Sequence, residues 1–101
     1  MLIRQLIRAS GVTCDFQAPL SLTEIREQLR TRVLEGITLV HWGVPLHTML
    51  INEQHGRKNG RVNVRATELY RANNKPSSRR QIGGEVLIVP DQDFMYQLPL
   101  K

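Results

Sequence analysis

The chain has 101 residues, with 14 lysines and arginines against 9 aspartates and glutamates and a formal net charge of +5. One domain with a modest core is the prior for this length, and 41% apolar residues argue against wholesale disorder. No apolar run approaches the roughly 20 residues of a membrane-crossing helix, and the one cysteine, Cys14, excludes an internal disulfide and a cysteine-based zinc site.

The first segment, Met1 to Arg8, carries charges inside its apolar stretch and so lacks the apolar centre of a secretory signal. Synthesis and retention in the cytoplasm is the expectation. Leu2, Ile3, Leu6 and Ile7 have helical spacing with Ser10-Gly11 as the stop, although so short a segment also suits a strand. Val12 to Phe16 alternates and predicts a short strand. Cys14 within it is expected to be a small buried hydrophobe. The clearest helix follows a capping box, Ser21-Leu22-Thr23-Glu24. Leu22, Ile25, Leu29 and Val33 form its apolar stripe, and Gly36 is the expected stop.

Ile37 to Trp42 is β-branched and apolar, which predicts a strand. Gly43-Val44-Pro45 predicts a turn opening a helix, with Leu46, Met49 and Leu50 as its apolar face and an end near His55-Gly56. Arg57 to Arg61 is a polar loop containing Asn-Gly. Ala66 to Ala72 predicts a second helix anchored by Leu69. Ile82-Gly83-Gly84-Glu85 turns into a buried strand, Val86 to Val89, which Pro90 ends because it cannot donate to a ladder. In the tail from Asp91 to Lys101, Phe94, Tyr96 and Leu98 alternate as an extended segment would.

The expected order from Ile37 to Pro90, strand, helix, helix, strand, resembles a LysM module, a small domain that binds N-acetylglucosamine chains. Gly43-Val44-Pro45-Leu46-His47-Thr48-Met49-Leu50 looks like the family's first-helix motif. Leu69-Tyr70-Arg71-Ala72-Asn73 is similar to the end of its second helix. Ile82 to Pro90 is similar to its closing strand, with one spacer residue fewer. The resemblance implies an α+β fold: an N-terminal extension with an amphipathic helix over 1–36, a βααβ module over 37–90 and an extended tail over 91–101. It also implies a sugar groove built from Gly43, Val44, Pro45 and Leu46 with Asn74, Lys75, Arg80, Gln81 and Ile82. Val44-Pro45 replaces the family's Asp-Thr, which removes polar groups from the groove's rim.

Residues 57–80 hold eight basic side chains and one acid, Glu68. Such a patch can bind phosphates, but Tyr70 is its only aromatic, which gives little support to base stacking. A solvated face, or a patch docking an acidic protein, is the expectation, and the contacts expected for a protein partner are Arg57, Lys58 and Arg61 at the loop and Phe94, Tyr96 and Leu98 in the tail. His41, His47 and His55 lack companions at metal-ligand spacing, so no metal site is expected. Ser77-Ser78 has no base partner, and no catalytic constellation or cofactor motif is present. The expectation is therefore a non-enzymatic assembly protein without a cofactor. The resemblance implies a LysM-like subunit of a phage tail or baseplate that binds other virion proteins. Peptidoglycan binding is the alternative. A basic DNA-binding regulator built on the helix at Leu22–Glu35 is a further one, and the strand expected directly after it counts against a helix-turn-helix.

Overall fold

The computed structural model describes residues 2–31, 33–42, 45–52, 61–74 and 79–93. Among them it is an α+β domain: a five-stranded antiparallel sheet with two helices. In chain order come β1 (Gln5–Ile7), β2 (Thr13–Asp15), α1 (Leu22–Leu29), β3 (Leu34–Thr38), β4 (His47–Asn52), α2 (Val64–Asn73) and β5 (Val86–Pro90). One 3-10 turn, Asp91–Asp93, follows. The strands lie in the order β2-β1-β5-β4-β3, so the last strand of the chain is the middle of the sheet.

That position explains the composition of β5. Successive side chains of a strand point to opposite faces, and all five residues of β5 are buried. Val86 and Ile88 meet Ile7, Ile37, Met49, Ile51 and the α2 residues Ala66 and Leu69 on one face. Leu87 and Val89 meet Leu6, Leu50 and the α1 residues Ile25 and Leu29 on the other. Each face therefore carries one helix. Pro90 closes β5 opposite His47, where the ladder ends, as its chemistry requires.

The capping box of α1 is formed: Ser21 Oγ accepts from the Glu24 N–H at 3.1 Å, and Glu24 Oε1 accepts from the Ser21 N–H at 2.9 Å. The helix stops at Leu29, well before Gly36. Arg30 takes the left-handed conformation, φ 54°, and the Thr31 N–H returns to the Arg26 carbonyl at 3.1 Å. Val33 thus leaves the stripe and is exposed. Gly36 sits inside β3 opposite Leu50, where an added Cβ would come 3.2 Å from Thr48 Cγ2.

Three further expectations are corrected. The N-terminal segment is strand β1, because Leu6 and Ile7 are both buried and belong to opposite clusters. A helix would hide such neighbours on one side only. For the same reason Met49, Leu50 and Ile51, all buried, form β4 where a helix was expected from Pro45 onward. His47 to Leu50 of the first-helix motif of the LysM-like reading therefore lie in a strand paired with β3 and β5. Cys14, expected inside, is exposed on β2. The strand expected at Ile37–Trp42 begins three residues earlier and ends at Thr38, while β2, α2 and β5 form close to where they are expected.

Candidate functional site

The sheet has two outer strands, β2 and β3, and backbone register decides which of their polar groups face outward. The Leu39 N–H donates to the His47 carbonyl at 2.9 Å. Hydrogen-bonded pairs alternate along an antiparallel ladder, so Ile37 and Glu35 also bond to β4 through their partners Met49 and Ile51. Leu34, Gly36 and Thr38 then point their N–H and C=O groups away from the sheet. Val33 and Val40, 39% and 53% exposed, flank this strand. It carries neither the lysine nor the proline with which edges are commonly blunted. β3 is nonetheless rooted in the core through Ile37. Glu35 is also held by a fork from Arg80, whose guanidinium lies 5.4 Å from the Tyr70 ring centre. The hydrogen bond to Glu35 raises Arg80 above its ordinary pKa.

β2 is different. All three of its residues are exposed, and it adds none to either core cluster. Arg8 N–H to Val12 C=O, and Phe16 N–H to Arg4 C=O, both at 2.8 Å, set its register. Thr13 and Asp15 consequently face outward.

On the far side of β1 from β2, the end of β5 is tied down. Arg4 donates through Nε and Nη2 to both oxygens of buried Asp93, at 3.0 and 2.9 Å. Those bonds raise the Arg4 pKa, against the opposing pull of burial. Thr48 Oγ1 donates to Asp91 at 2.6 Å, and the Asp91 N–H reaches the Leu46 carbonyl at 2.9 Å. Buried His47 accepts from the Ile3 N–H on Nε2, so its ring proton sits on Nδ1, 2.8 Å from the Pro45 carbonyl. An open cleft of ≈ 350 Å³ adjoins this anchor, lined by residues 2–5 at the start of β1 and residues 15–17 at and just past the end of β2.

The residues of the expected sugar groove are divided. Pro45 and Leu46 precede β4, next to the end of β5, and Leu46 is exposed. Ile82 precedes β5, at its other end, roughly 15 Å away by strand rise. Ile82 is buried, and its N–H and C=O are already used by Thr67 Oγ1 and the Asn63 N–H. Arg80 is committed to Glu35 on β3. Asn74 and Gln81 are exposed. Gly43, Val44 and Lys75 lie outside the described residues, as do Arg57, Lys58, Phe94, Tyr96 and Leu98. Arg61 is exposed, and its carbonyl accepts from the Gly84 N–H at 2.9 Å. No group of three or more potential metal ligands occurs among the described residues. Of the basic patch, the described residues include exposed Arg61 and Arg65 near the start of α2, half-buried Arg71 near its end, exposed Arg79, and Arg80, which is paired with Glu35.

One buried residue was missed in the sequence. Asn63 caps α2 by accepting from the Ala66 N–H, and its Nδ2 donates to the Ile7 and Gly84 carbonyls at 3.0 and 2.8 Å. It joins α2 to β1 and to the turn before β5. An asparagine three positions ahead of Ala66 was the available signal for a helix cap. At the other end of α2, Asn73 Oδ1 accepts from the His41 N–H, in the β3–β4 connection, at 2.7 Å.

No family model, no curated protein and no solved structure matches this chain.

Proposed function

We propose that this chain is a non-enzymatic assembly protein that joins a partner protein by strand addition at β3. The observation that carries the reading is the outer side of β3, where among the described residues no strand pairs with the outward backbone groups of Leu34, Gly36 and Thr38, between exposed Val33 and Val40. An extended segment laid there gains main-chain hydrogen bonds, and its alternate apolar side chains can cover the valines. Gly36 has no side chain to keep a second backbone at a distance. Ile37 and the Glu35–Arg80 pair hold the strand in place beforehand, so little ordering is left to binding. The setting that the LysM-like resemblance implies for such an assembly is a phage tail or baseplate. Peptidoglycan binding draws less support, since Pro45–Leu46 and Ile82 sit at opposite ends of β5.

A photo-crosslinking side chain placed at Thr38 tests this in the native setting of the protein. A discrete adduct is expected from position 38 and none from Gln28, which is exposed on α1. Adducts from position 28 alone would contradict the reading. Retention on insoluble peptidoglycan at high salt, competed by N-acetylglucosamine oligomers, would favour the carbohydrate alternative instead.

A further inference from the structure

The ring of buried His47 holds the entry to β1 through an acceptor nitrogen, and a second proton on the ring abolishes that acceptor. We propose that His47 is a proton-operated latch: its neutral ring keeps Leu2 and Ile3 on the sheet, and its protonated ring releases them. The strand register explains why a side chain is needed there. Arg4 and Arg8 turn their backbone groups to β2, so by alternation the Ile3 N–H points toward β5. Carried on by two residues, the β1–β5 register sets Ile3 opposite Pro90, which is itself paired with His47. Pro90 has no N–H to give to that rung of the ladder. The His47 ring reaches past it, and Nε2 accepts from the Ile3 N–H at 3.0 Å.

Both ring nitrogens are committed. Nδ1 gives its proton to the Pro45 carbonyl at 2.8 Å, which leaves Nε2 bare for Ile3. A second proton can sit only on Nε2, where it sets two donors against each other. The ring is 1% exposed, so water does not replace the lost partner. His47 lies within β4 and Ile3 lies two residues before β1, so Ile3 gives way. The charged groups on the elements around the ring are Arg4 of β1, Asp91 and Asp93 after β5, Glu35 of β3, His41 beside Trp42, and Arg71 of α2. Arg4 forks Asp93, Thr48 donates to Asp91 and Arg80 holds Glu35, so none of these carboxylates bonds to the ring. The stability that the Ile3 bond lends is present while the ring is neutral and is lost as pH falls. Release starts at Ile3, frees the apolar side chains of Leu2 and Ile3, and stops at Arg4, which Asp93 still holds. The latch does not depend on what binds β3.

Residue-resolved spectra of the ring nitrogens and of amide exchange test this on the full chain, from about pH 8 to about pH 5, the interval in which histidine changes charge. At the upper end the ring is expected in a single neutral form with its proton on Nδ1. As it takes its second proton, protection of the Ile3 amide, measured against that of Met49 in the same sample, should fall by on the order of tenfold or more. His47→Gln supplies a side-chain oxygen that can accept from Ile3 and does not titrate, so in that variant the ratio should stay level. A ring proton on Nε2 at the upper end, a ring that stays neutral down to about pH 5, or an Ile3 ratio unchanged as the ring titrates would each overturn the proposal. So would an equal loss in His47→Gln, which would assign the change to other groups. The measurements on the unaltered chain decide the question alone if that variant does not fold.

Discussion

β2 and β3 are both outer strands of one sheet, yet they stand in opposite relations to the core. β3 sends Ile37 inward, packs Leu34 against the α1 cluster and is pinned by Arg80. β2 sends nothing inward and is joined to the molecule by its ladder to β1. An edge with its own root in the core can remain open and still be rigid, which suits a docking site. A rootless edge gains order from whatever covers it. Position in the sheet is the same, so the side chains beneath each strand make the difference.

Substitutions can break this contrast. The largest effect is expected from Ile37→Ala, which leaves a cavity under β3 and should cost about 3 kcal/mol in denaturant unfolding. Its counterpart Cys14→Ala, on the exposed side of β2, should stay within about 0.5 kcal/mol. Next comes Asp93→Ala, which leaves the Arg4 guanidinium without its fork. It should cost about 2 kcal/mol and speed exchange at β1 and β2 more than at β3. Ser21→Ala removes the cap of the helix that connects the two edges and should cost about 1 kcal/mol by thermal unfolding. Smallest is Glu35→Gln. Its ion pair with Arg80 is partly exposed, so the loss should be about 0.5 kcal/mol or less and should shrink further in high salt.

Much of the fold was readable where local chemistry and tertiary position agree. Ser21 and Glu24 announce α1, and the β-branched run ended by Pro90 announces β5. Reading failed where a short apolar run is buried on both sides. Leu6-Ile7 and Met49-Leu50-Ile51 satisfy helical spacing as well as strand burial, and only their place between two helical layers decides. Gly36 read as a helix stop because Arg30, a residue seldom left-handed, was not expected to end α1. The candidate surface was less readable still. Being an edge is a property of strand order, and that order follows from β5 inserting between β1 and β4. Nothing within Leu34 to Thr38 states that, among the described residues, no strand pairs with its outer side.

The most direct measurement is the incorporation of Thr38→Pro into the native assembly, in competition with the unaltered chain. Thr38 is exposed and its N–H points away from β4, so proline there deletes an outward donor and spares the ladder. The variant is expected to fold with nearly unchanged thermal stability and to be excluded from the assembly. A folded Thr38→Pro chain that incorporates as well as the unaltered one would contradict docking at β3.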